Sequence, residues 1–98
     1  MTENTKTETG ITLTLFVSGQ APRNQRVAAA LEGFFGPLLQ GRGRLSVVDV
    51  LQQPELAEAA DVIVTPTLVA SFEGNGEKRV IGNLADVERV AVMLSLEP

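Results

Sequence analysis

Residues 45–68, LSVVDVLQQPELAEAADVIVTPTL, constrain the fold more than any other part of the chain. A valine-rich run from Leu45 to Leu51 is followed at once by Pro54. That proline can open a short helix around Glu55 to Ala60, because a first-turn residue gives up only an N–H that has no intrahelical partner. Thr65-Pro66-Thr67 then leads into a second apolar run, Thr67 to Phe72. Strand, helix and strand in such tight succession are the middle of an α/β domain. Apolar residues at successive positions of Leu45 to Leu51 predict a central strand covered by helices on both faces.

The flanking sequence extends the pattern. Ile11 to Val17 alternates Ile11, Leu13, Leu15 and Val17 against Thr12, Thr14 and Phe16, which predicts a strand. After the loop SGQAP, Pro22 opens a helix whose Val27, Leu31, Phe34 and Leu38 recur at helical spacing, with three alanines lowering its entropy cost. Gly36-Pro37 is expected to end or kink this helix, since a residue before proline is pushed out of the α region, and Gly41 to Arg44 is expected to be a loop. A right-handed crossover then makes the first two strands parallel. In Glu73 to Glu77, Asn75-Gly76 stands between apolar runs and signals a type I′ hairpin, pairing Lys78 to Ile81 antiparallel with Thr67 to Phe72.

Gly82-Asn83 punctuates the chain, with Asn83 as N-cap and Asp86 three residues on, resembling a capping box with a shorter acid. A final helix from Leu84 to about Leu96 completes a βαβαββα order around a mixed sheet. This last segment is locally ambivalent. Val87, Val90, Ala91 and Leu94 fit a helical face, while Val90, Val92, Leu94 and Leu96 fit a period of two, so a buried helix, an oligomer contact and a real conformational duality all remain open.

Composition narrows function. The 98 residues suffice for one domain, here residues 11–98 behind a polar, disordered arm over residues 1–10 that lacks the apolar surface to offset its ordering entropy. With no Cys and no His there is no disulfide, thiolate nucleophile, imidazole base or Cys/His metal site. Eight Lys and Arg against twelve Asp and Glu, a net charge of −4, disfavour nucleic acid as partner. No run approaches the ~20 apolar residues of a membrane span, and MTENTKTETG has no apolar core of a signal peptide, so a cytoplasmic protein is expected.

Four segments, LFVSGQAP at Leu15 to Pro22, VVDVLQQPELAE at Val47 to Glu58, TPTL at Thr65 to Leu68 and RVIGNL at Arg79 to Leu84, stand in an order and spacing that resemble the KaiB family. The resemblance covers Leu13 to about Leu96. It implies a thioredoxin-like fold and a clock component that binds without catalysis, docking on the ring ATPase KaiC, capturing KaiA and competing with the similar domain of a sensor kinase. It also implies metamorphism, with an alternative βαββααβ ground state that forms dimers and tetramers. A thioredoxin-like enzyme needs a cysteine where its first helix begins, and this chain has none. Three departures from the family's usual pattern stand out: Glu73 to Lys78 in place of a proline-rich charged connection, Asp61 in place of a lysine, and Gly43-Arg44 in place of larger or apolar residues.

The candidate residues follow. Arg23, Arg44, Ser46 and Asp61 are the expected partner contacts, and Asn75, Gly76, Gly82, Asn83 and Asp86 the expected determinants of fold state. X-Pro bonds in folded proteins are mostly trans, but the resemblance implies a cis bond at Pro66 with a structural role. Ser18 has no base nearby in sequence and is expected to be a turn residue; Asp49 is expected to bond backbone amides at the strand end. The glycines form no phosphate loop. No metal, cofactor or catalysis is expected. The first functional expectation is a KaiB-like module regulating a KaiC-like ATPase, alone or as a homodimer or homotetramer. The second is a stand-alone input domain of the sensor-kinase kind, and the third a Cys-less thioredoxin-like enzyme using a thiol cofactor such as glutathione.

Overall fold

The computed structural model describes residues 10–96, so the expected arm lies, but for Gly10, outside the described residues. The elements run β1 (Ile11–Val17), α1 (Pro22–Leu39), β2 (Gly43–Asp49), α2 (Pro54–Ala59), β3 (Thr67–Phe72), β4 (Gly76–Ile81) and α3 (Val87–Leu94). This is the thioredoxin-like βαβαββα order, not the alternative βαββααβ. The sheet order is β2-β1-β3-β4, with β1 and β2 parallel and the other pairs antiparallel.

Alternation along β1 divides the interior. Ile11, Leu13, Leu15 and Val17 face α1 and α3 and join Leu31, Phe35, Leu39, Val90, Ala91 and Leu94 in the main core. Phe16, on the other face, meets Val48, Val69 and Ala57 under α2. The main core has fifteen buried residues and the second cluster four, so the α2 side is the thinly covered one. Thr12, Thr14, Arg44, Ser46 and Ser71 occupy the part of that face which this cluster does not reach, half-buried or exposed.

Here the fold corrects the expectation for Leu45 to Leu51. β2 starts at Gly43, within the expected loop, and it is an edge strand, not a central one. Antiparallel β3 takes the other side of β1, a choice made by residues twenty positions away in sequence, and leaves β2 one free edge with Val47 exposed. Gly43 is required at its head: a Cβ there would stand 1.9 Å from the Ile11 carbonyl oxygen.

Three boundaries also differ. α1 runs through Pro37 to Leu39. The carbonyl that Pro37 leaves without a donor belongs to Gly33, both residues are exposed to water, and burial of Leu39 draws the last turn onto the core. At the hairpin, Asn75 N donates to Phe72 O at 2.8 Å, and positive φ falls on Gly74 and Gly76. A turn over Phe72–Asn75 with Gly74 third replaces the expected type I′ turn on Asn75-Gly76; its left-handed φ is the one that a type II turn requires there. At α3 the N-cap is Asp86, whose carboxylate accepts from Arg89 N at 3.2 Å. Asn83 instead takes a left-handed turn (φ 50°), and its carbonyl accepts from Arg89 Nη1 at 3.2 Å. Leu84 is buried ahead of the helix.

The ambivalent segment is helical. Val90, Ala91 and Leu94 are buried, while Val92 and Met93 are exposed, as a period of 3.6 and not of two demands. Ser95 closes it in the left-handed conformation, with Ser95 N donating to Val92 O and Leu96 N to Ala91 O, a Schellman stop that tucks Leu96 into the core.

Candidate functional site

The C-terminal end of β1 gathers three loops. Asp49, closing β2, accepts from Gln20 Nε2 at 2.7 Å, Gly19 N at 2.9 Å and Leu51 N at 3.0 Å. Asn24, in the first turns of α1, donates to the carbonyls of Ser18 and Gly19 at 3.0 and 3.1 Å. From the third loop, Thr65 Oγ1 donates to Ser18 Oγ at 3.1 Å, next to the cis Thr65–Pro66 peptide bond. Gly82 N then ties the end of β4 to Pro66 O at 3.2 Å.

These bonds assign Ser18 and Asp49 to architecture. Ser18 Oγ is paired with the Thr65 hydroxyl, and among the described residues no base bonds it. The donors around Asp49, Gln20 first and then the Gly19 and Leu51 amides, hold its carboxyl below the ordinary carboxylate range, the opposite of what a proton donor at neutral pH requires. A cavity of about 340 Å³ beside this end is lined by Ser18, Arg23, Asn24, Val27, Thr65 and Pro66. Among the described residues no group of three or more His, Cys, Asp or Glu stands where it could hold a metal ion.

The same end carries an apolar rim that sequence reasoning did not single out. Ile63 is 92% exposed, Leu51 70%, Ile81 59% and Val64 48%. Register places Ile81 opposite Thr67, at the Pro66 end of β3, and Leu51 follows the strand end that Asp49 ties to Gly19. The run Val62-Ile63-Val64 was visible in the sequence, but an unbroken apolar run reads as buried.

The predicted contacts fall into two places. Arg23 lines the cavity with Thr65 and Pro66, and Asp61, left-handed (φ 58°) just past α2, stands two residues before Ile63. Arg44 and Ser46 lie on the open face of β2, with Arg44 five residues and about 16 Å back along the strand from Asp49. The structure does not bring these four residues into one cluster.

The KaiB domain family matches residues 14–96. The chain belongs to the KaiB family. It is 39% identical over 84 residues to the circadian clock oscillator protein KaiB of Prochlorococcus marinus strain MIT 9313, covering 86% of this chain and 70% of that one. Identity to the KaiB of Synechococcus sp. strain ATCC 27144 is 38% over 84 residues, covering 86% of this chain and 81% of that one. The solved N-terminal domain of Synechococcus elongatus SasA superposes with a TM-score of 0.67 at 22% identity, covering 99% of this chain and 94% of that domain. Drosophila melanogaster thioredoxin Deadhead superposes at 0.69 with 16% identity, covering 87% and 78%. Both superpositions place this KaiB-family chain in the thioredoxin-like fold. Among the described residues no helix is long and apolar enough to cross a membrane.

Proposed function

We propose that the chain is a non-catalytic protein-binding module that regulates a KaiC-like ATPase and docks through the β1 end of its sheet. The carrying observation is the rim of Leu51, Ile63, Val64 and Ile81. Aliphatic side chains held in water at one end of a domain gain roughly 25 cal/mol per Å² when a partner covers them. Arg23 and Asp61 border the rim with opposite charges and supply orientation, whereas Arg44 and Ser46 on β2 form a separate polar contact for a second partner or a second copy.

Purified Synechococcus elongatus KaiC is the probe. Ile63→Asp is expected to weaken its binding at least tenfold while the urea midpoint of the free protein stays put, because Ile63 is almost fully exposed. Equal binding by wild type and variant refutes the rim as docking surface, and no binding by either refutes the KaiC assignment. Binding to a sensor-kinase core with none to KaiC moves the chain to the input-domain reading.

A further inference from the structure

Ala57, Ala60 and Val62 seat α2 on Phe16, Val48 and Val69, but that packing leaves the carbonyls at the helix end to be satisfied elsewhere. At six residues α2 is far shorter than an isolated helix that persists in water, and its last turn carries no basic side chain to meet its carbonyls. Its end is a Schellman stop on Asp61: Asp61 N donates to Glu58 O at 3.1 Å and Val62 N to Ala57 O at 2.9 Å. The carbonyls of Ala60 and Asp61 accept from no backbone N–H among the described residues.

Both are taken by one side chain from the far edge of the sheet. Arg79 of β4 donates from Nη2 to Ala60 O and from Nη1 to Asp61 O, the latter at 3.1 Å. Glu77, two residues earlier and therefore on the same face, holds the guanidinium through Oε2, at 3.1 Å from Nε and 3.0 Å from Nη2. Charge-assisted bonds of this forked kind are stronger than neutral ones and fix orientation as well as distance. The other end of the rim segment has separate anchors: Thr67 Oγ1 donates to Val64 O at 2.6 Å, and Thr65 to Ser18.

We propose that Arg79 is a positioning residue for the docking rim, coupling the β3–β4 hairpin to residues 60–63 so that Ile63 is presented only while β4 is zipped onto β3. Only its bearing on partner binding rests on the docking function proposed above. Fraying of the hairpin withdraws the guanidinium, opens the end of α2 and loosens the near half of the rim, while Val64 to Thr67 stays anchored.

Amide hydrogen exchange of the free protein tests the coupling without any partner. The reporters are the hydrogen-bonded amides of Ala60, Asp61 and Val62. Arg79→Met keeps an apolar stem but removes every donor, and is expected to speed exchange at these three amides at least tenfold while β1 amides exchange as in wild type. Gly74→Val, which strains the hairpin turn at a φ of 81°, is expected to speed the same amides in the wild-type background. In the Arg79→Met background it should add nothing there. Unchanged reporters in Arg79→Met overturn the proposal, and so does an equal effect of Gly74→Val in both backgrounds. In the KaiC assay, Arg79→Met should weaken binding; weaker binding with unchanged reporters makes Arg79 a contact residue and overturns the positioning role.

Discussion

Gly43→Ala offers a prediction whose sign alone is decisive. At a glycine with room for a methyl group, alanine stabilises a fold by about 0.4–1 kcal/mol, because it narrows the unfolded ensemble. Here the new Cβ would lie 1.9 Å from the Ile11 carbonyl oxygen, 2.7 Å from its carbon and 2.9 Å from Ile11 Cβ. Ordinary non-bonded contact needs about 3.5 Å, so the head of β2 must retreat by roughly 1.6 Å. A retreat of that size breaks the bond from Ile11 N to Arg42 O, now 3.1 Å, and lifts Ile11, 1% exposed, out of its packing. One net backbone hydrogen bond is worth about 1 kcal/mol, and partial exposure of an isoleucine about another. The expected cost is about 2 kcal/mol, read as a fall of about 1 M or more in the urea midpoint at m-values of roughly 1–2 kcal/mol/M. Gly33→Ala in α1 is the control. Its Cβ would meet nothing within 4 Å, so stability should rise by about 0.5–1 kcal/mol. A Gly43→Ala midpoint equal to or above wild type refutes the steric argument and with it the described register of β1 on β2.

Two further outcomes can be measured in the same way. The folded-state pKa of Asp49 is depressed, so its contribution to stability is complete above the unfolded carboxylate value of 3.8 and is lost as pH falls through the lower folded value; urea midpoints from pH 6 to pH 2.5 should fall less in Asp49→Asn than in wild type, and parallel curves count against the role given to its three donors. Ser95, left-handed at φ 59°, should welcome glycine, so Ser95→Gly is expected to raise stability by about 0.5–1 kcal/mol in thermal melts, and a loss counts against the Schellman stop.

Local signals were legible where they decided the matter alone. β1, the Pro22 start of α1, α2 and the residues of β3 are all written in periodicity and proline placement. What failed depended on distant residues. Leu45 to Leu51 reads as central because valine content cannot say which strand lies alongside, and β3 settled that. Pro37 reads as a stop because the pull of Leu39 on the core is tertiary. Asn83 and Asp86 are both good caps, and the buried Leu84 between them chose the later one. Of the proposed contacts, Arg23 and Asp61 were suggested by charge and family pattern. The exposure of Ile63 and Val64 was not legible, since exposed aliphatic residues run against the burial that an apolar run suggests, and neither was the reach of Arg79, whose partners are backbone carbonyls.

The two borders of the sheet are unlike. β4 presents Glu77, Lys78 and Arg79 in succession, the kind of charge that keeps a foreign strand away, whereas β2 carries Leu45 to Val48 without a charge and with Val47 exposed. An added strand has one place to go. If two copies meet border to border they join β2 to β2, and the composite sheet then ends in a charged β4 on either side. Growth would stop at the pair, so the architecture that leaves one border open also denies it the repeat on which a fibre depends.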